Sequence, residues 1–213
     1  MLGIAMASKT KWMLATLFVF SCLGTVVAET AQEPAQRRWS LNEVEVLLAD
    51  FAVGRSFSEG QRLFRLKNCV KCHRTDGEGN EFGPDLAKMN RDVTLQEVAK
   101  QVVQPSANIN KHHQVMIFQL KSGRTVQGLV VATGRDYFRV VENPLESSQA
   151  KKVRLQDVEN RFKSTKSQMP EGLLDGLQAT EVLDLLAFVY ARGDDGHDVY
   201  RVAGTVSQPT SSP

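Results

Sequence analysis

Apolar residues recur at three- and four-residue spacing at both ends of the chain and at two-residue spacing in between. Ser40 with Glu43 forms a capping-box pattern ahead of Val44, Val46, Leu47, Leu48 and Phe51, which predicts a helix from about Leu41 to Ala52, ended by Gly54. Ser58 with Gln61 repeats the device, and Leu63, Phe64 and Leu66 stripe a short helix that runs up to Cys69. Thr94 with Glu97 caps a third helix through Val98, Val102 and Val103, stopped by Pro105. From Thr180 to Arg192 nearly every face is apolar before Gly193, as in a buried C-terminal helix.

Between His113 and about Arg161 the period falls to two. Val115, Ile117 and Leu120, then Val126, Leu129 and Val131, then Phe138, Val140 and Val141 are separated by Ser122-Gly123 and Thr133-Gly134, which reads as short strands and tight turns. Lys151–Leu155 and Val158–Phe162 add to the set. The expected fold is therefore mainly α: a helical bundle over 40–200 with a small antiparallel β meander or barrel inserted at about 113–162. Residues 74–90 are rich in Gly, Asp and Asn with few apolar positions, a loop suited to wrapping around something other than its own side chains.

The first 28 residues stand apart. Lys9 and Lys11 precede an apolar run from Trp12 to Val27 that ends in Val-Val-Ala before Glu29, the pattern of a cleaved secretory signal. An uncut membrane anchor is the competing reading, against which the run is short for a span of about 20 residues. A lipoprotein box ending at Cys22 is a third, which would tie the chain to a membrane by lipid. Export places the mature protein in the periplasm, or at the membrane if either anchor is retained. Residues 29–39 read as a flexible leader and 201–213 as a flexible tail. The net charge of +2 comes from Lys9 and Lys11, since residues 1–28 carry no acid; without them basic and acidic side chains balance and nothing favours nucleic acid. With 42% hydrophobic and 23% charged residues, the remainder can bury an ordinary globular core.

Three cysteines are present, and loss of Cys22 with the signal leaves Cys69 and Cys72. Cys69-Val70-Lys71-Cys72-His73 has the spacing for covalent haem c: two thiols three residues apart reach two vinyl groups of one porphyrin, and the next residue supplies an imidazole to the iron. A thioredoxin-like pair would follow a strand and open a helix, whereas this one closes a helix. A structural zinc site would want four ligands, and no other cysteine remains. For the second axial position the candidates are Met89, Met116, Met169, His112, His113 and His197. Met169, stiffened by Pro170-Glu171-Gly172 ahead of the last helix, is favoured, since a thioether opposite histidine suits electron transfer. Met116 falls among strand residues and reads as core, His112 and His113 as surface residues, and His197 among Asp194, Asp195 and Asp198 as solvated.

At these residues the chain resembles the class I c-type cytochromes, a helical bundle around one haem. The resemblance implies that Gly60 and Phe64 lie where the N- and C-terminal helices cross, with Phe188 or Tyr190 as the facing aromatic. It also implies that the carbonyl of Pro84, in Gly83-Pro84-Asp85-Leu86, accepts the second ring N–H of His73. Over residues 58–192 the order of these motifs with Pro105-Ser106-Ala107 and Met169-Pro170-Glu171-Gly172-Leu173 is similar to the planctomycete-type haem-binding domain, which often ends large membrane-bound dehydrogenases. This chain departs from it in lacking a dehydrogenase propeller, in carrying its own helix at about 41–52, and in having Gln178-Ala179 where a capping threonine is usual.

Three functions follow as expectations. The first is an exported single-haem electron carrier between redox partners, with a periplasmic or membrane-bound dehydrogenase as donor, rather than an enzyme. The second is a haem enzyme of peroxidase type with an open iron. The third is a redox-sensing or partner-binding module that works through the inserted strands.

Overall fold

The computed structural model describes residues 37–49, 51, 54–75 and 77–201. The expected signal segment over 1–28, with its Cys22 alternative, most of the leader and the tail beyond Arg201 lie outside the described residues. The leader ends sooner than expected. Trp39 is buried, its indole N–H donates to the Leu177 carbonyl at 3.0 Å, and the Arg37 carbonyl accepts from Gly176 N–H at 2.8 Å. Burial of a large aromatic with its one polar atom satisfied offsets part of the cost of ordering this segment.

Four α-helices carry the first core: α1 (Leu41–Ala49), α2 (Phe57–Leu66), α3 (Leu95–Val103) and α4 (Ala179–Tyr190). The capping boxes expected at Ser40/Glu43 and Thr94/Glu97 are both formed. The α2 cap is Ser56, not Ser58: its hydroxyl accepts from Glu59 N–H at 3.2 Å. The helix starts early because Phe57 has partners, its ring lying 5.4 Å from those of both Phe188 and Tyr200. Aromatic pairs of this kind contribute about 0.5–1.5 kcal/mol beyond area burial.

The α2–α4 crossing brings two helix backbones together at Gly60. A Cβ on Gly60 would collide with the Asp184 carbonyl oxygen and lie 2.7 Å from Phe188 Cβ. One turn on, the Phe64 and Phe188 rings meet tilted at 5.2 Å, so Phe188 rather than Tyr190 is the facing aromatic. Leu63, Val98, Val182, Leu185 and Leu186 fill the space around them with almost no exposure.

The inserted segment forms β3 (Val115–Leu120), β4 (Thr125–Thr133), β5 (Tyr137–Val141), β6 (Lys151–Arg154) and β7 (Val158–Lys163), following a two-residue hairpin pair β1 (Arg74–Thr75) and β2 (Glu78–Gly79). All neighbours are antiparallel, in the order β6-β5-β4-β3-β7. The two edge strands are consecutive in the chain, joined by the single 3-10 turn Leu155–Asp157. In a flat five-stranded sheet those edges would stand roughly 19 Å apart. Four Cα steps reach at most about 14 Å. The sheet must therefore curl on itself, and a small barrel replaces the alternative of an open meander. Its interior is a second core of Phe118, Val126, Phe138, Val140 and Val153, with Phe118 and Phe138 at 5.2 Å.

The expectation of a mainly α protein is corrected on this point. The strands hold nearly as much chain as the four helices and have a core of their own, so the fold is mixed. The barrel is also electrostatically distinct. Between residues 111 and 166 eleven Lys and Arg stand against five Asp and Glu, and Lys121, Arg124, Lys151, Lys152 and Arg154 share one seam. The even balance of the whole chain conceals that segregation. Among the described residues no helix is long and apolar enough to cross a membrane.

Gly60→Ala should destabilise the protein by about 1–3 kcal/mol, the usual cost of overpacking, despite the better helix propensity of alanine. Urea unfolding checks this, and an unchanged midpoint would mean that α2 and α4 part at no cost.

Candidate functional site

The Cys69–His73 segment is shaped by the way α2 ends. The helix stops at Leu66, and Asn68 takes a left-handed conformation with φ of 60°, one of the few that a non-glycine side chain tolerates, asparagine best. A 3-10 turn over Cys69–Lys71 follows, in which the Cys69 carbonyl accepts from the N–H groups of both Cys72 at 3.1 Å and His73 at 2.8 Å. The cysteines thus sit on a tight turn beyond the helix, not on its last turn as the stripe up to Cys69 suggested. Both are free thiols and half-buried. Burial pushes the Cys69 thiol up to about 11 and the Cys72 thiol up as well, so neither is primed as a nucleophile or a redox pair at neutral pH.

The chain then turns through the β1–β2 hairpin and comes back beneath the histidine. Gly83 N–H donates to the Cys72 carbonyl at 2.7 Å, and His73 Nδ1 donates to the Pro84 carbonyl at 2.9 Å. Gly83 is pressed flat on the imidazole, where a Cβ would lie 2.7 Å from Cε1. Burial holds His73 below the ordinary histidine pKa, opposed in part by the Pro84 bond, so the ring is neutral and offers its Nε2 lone pair. Thr75, buried on the hairpin, donates to the Arg192 carbonyl at 2.8 Å and ties this segment to the end of α4.

Met169 packs half-buried against the helical core and is held from several sides. Its N–H donates to Ser167 Oγ at 3.1 Å, Ser167 N–H donates to Ser106 Oγ at 3.1 Å beyond α3, and the Gln168 amide donates to the Glu142 carbonyl of the barrel at 3.2 Å. Met89 lies against the same core after the 3-10 turn Leu86–Lys88, whereas Met116 packs in the barrel. His112 is exposed. His113 departs from its expected surface role: half-buried, it donates from Nδ1 to the Phe82 carbonyl at 3.1 Å. His197 is not simply solvated either, for its Nδ1 accepts from Val199 N–H at 3.2 Å and its ring meets Tyr190 edge-on at 5.3 Å.

The residues brought together suit one cofactor. Two free thiols on one turn, a neutral imidazole with Nδ1 engaged and Nε2 unengaged, and a side-chain-free position against that ring are what a covalently attached porphyrin requires of a protein. An open groove of about 610 Å³ between the β1–β2 hairpin and the barrel, bordered by Arg74, Phe82, His113 and Val131, includes none of these groups. No cluster of acidic, histidine and cysteine side chains able to hold a bare metal ion occurs among the described residues.

Such a site suits covalent haem attachment. Residues 57–121 match the family model for Cytochrome c, which takes in α2, the Cys69–His73 turn, the Pro84 loop, α3 and β3. The chain carries a cytochrome c domain there, and its cofactor is haem c. No curated protein matches the chain.

Missing from the sequence reading were Trp39, which joins the N-terminal segment to the turn before α4, Lys71, whose ammonium donates to the Leu145 carbonyl at 3.0 Å, and the His113 contact. Each bridges positions at least 31 residues apart, and no local pattern marks such a pair.

Gly83→Ala should push the His73 ring off the Pro84 carbonyl. Proton NMR of the reduced protein should then lose the slowly exchanging Nδ1 proton expected of the parent, and retention of that proton would mean the loop yields without disturbing the ring.

Proposed function

We propose that the protein is an exported single-haem cytochrome that passes single electrons between redox proteins, with Cys69 and Cys72 as the thioether residues and His73 and Met169 as the axial ligands. The observation that carries this reading is the His73–Pro84 bond directly after the two free thiols, because it fixes the tautomer that leaves Nε2 for iron. When bound, the haem supplies a one-electron couple. The protein's own part is to hold the imidazole neutral and oriented, keep water off it with Leu86 and the apolar faces of α2 and α3, and present a thioether on a loop that Ser106 and Glu142 hold still. Met169 is preferred to Met89 because its loop is fixed through contacts to both cores. Were His73 and Met169 both to hold the iron, the haem would supply outer-sphere electron transfer, and no side chain would need to act as acid or base. A periplasmic dehydrogenase is the donor that the planctomycete-type resemblance favours. Export rests on the signal pattern of residues 1–28.

Replacing Cys69 and Cys72 together by alanine should leave no pigment on the denatured chain in a pyridine haemochrome assay; pigment that survives would refute the attachment. Met169→Ala should keep the covalent haem, abolish the sulfur-to-iron charge-transfer band expected of a methionine-ligated ferric haem, and lower the potential. If Met89→Ala does this instead, the axial role moves to Met89.

A further inference from the structure

We propose that His113 is a positioning residue for the haem: through the Phe82 carbonyl it holds the loop that orients His73, and so makes the barrel part of the redox site. The inference rests on the haem reading above but concerns a residue outside the haem-binding motif, 31 positions from its contact.

Three consecutive residues of this loop each give one backbone group to a different partner. The Phe82 carbonyl accepts from His113 Nδ1 at 3.1 Å, the Gly83 N–H donates to the Cys72 carbonyl at 2.7 Å, and the Pro84 carbonyl accepts from His73 Nδ1 at 2.9 Å. Two imidazoles thus grip one three-residue stretch, one at either end. Gly83 between them has no side chain to anchor it and restrains its own backbone least of any residue. Without the outer grip, the Phe82–Gly83 peptide keeps a single tether, at the Gly83 N–H.

His113 is itself firmly held. It closes the 3-10 turn Lys111–His113, where its N–H donates to the Asn110 carbonyl at 2.9 Å and Asn110 Oδ1 accepts from His112 N–H at 2.9 Å. On the other side Gln114 donates from its amide to the Ser164 carbonyl at 2.7 Å, and Ser164 N–H donates to the Val115 carbonyl at 2.9 Å. Those bonds bind the start of β3 to the end of β7, so the imidazole is mounted on a hydrogen-bonded strand pair of the barrel. A rigid mount on one side and a glycine-centred loop on the other means that the loop follows the barrel.

The consequence for the iron is electronic. The stronger the Pro84 carbonyl accepts, the more basic the His73 ring and the better it stabilises the ferric state. Removing His113 weakens that acceptance and should raise the reduction potential.

The experiment compares the parent holoprotein with His113→Ala and His113→Asn, the latter able to place an amide N–H where Nδ1 stands. In His113→Ala the His73 Nδ1 proton of the reduced protein should exchange roughly tenfold faster, the order expected from loss of one hydrogen bond, and the potential should rise, with covalent haem retained. His113→Asn should restore both. Unchanged exchange and potential in His113→Ala would overturn the proposal, as would an asparagine variant that behaves like the alanine one. A parent protein whose His73 ring shows no iron-shifted resonance would instead count against the haem reading itself.

Discussion

The hydrogen bond from His73 Nδ1 to the Pro84 carbonyl constrains everything around it. A carbonyl can only accept, so the bond decides which ring nitrogen carries the proton. Burial of the ring keeps it neutral, and the two effects together leave Nε2 as a directed lone pair. For that bond to exist, the chain must bring residue 84 back beneath residue 73 within a dozen positions. The β1–β2 hairpin makes the reversal, and Gly83 allows the contact because any side chain there would occupy the imidazole's place.

The position of this arrangement in the molecule is set by the α2–α4 crossing. Gly60 against Asp184 and Phe64 against Phe188 bring two helices from opposite ends of the chain within backbone contact. The left-handed break at Asn68 then swings the thiols away from the helix axis. The far end of α4 returns to the same place, since the Arg192 carbonyl accepts from buried Thr75. Both α2 and the end of α4 therefore anchor the motif, and charged pairs such as Arg65 with Glu78 are too exposed to decide its geometry.

The barrel is more than an insertion tolerated at a loop. It reaches the site at several separate points: His113 to Phe82, Lys71 to Leu145, and Gln168 to Glu142. One contact bears on the loop under His73, one on the turn that carries the thiols, and one on the loop that presents Met169.

Elements with a local physical signature were legible in the residues alone. The capping boxes at Ser40 and Thr94, the helical stripe ending in Gly193, the alternation of β3 to β5, and the Cys69–His73 spacing each depend on neighbours within a few positions. The α2 start was misplaced by two residues because Ser56 and Ser58 are equally good caps, and the choice fell to Phe57 finding Phe188 and Tyr200. Closure of the strands into a barrel, the burial of Trp39 and the grip of His113 on Phe82 were decided only in three dimensions. Each joins groups far apart in sequence whose meeting depends on the whole fold, and a hydrogen bond between such groups leaves no periodicity in the chain that makes it.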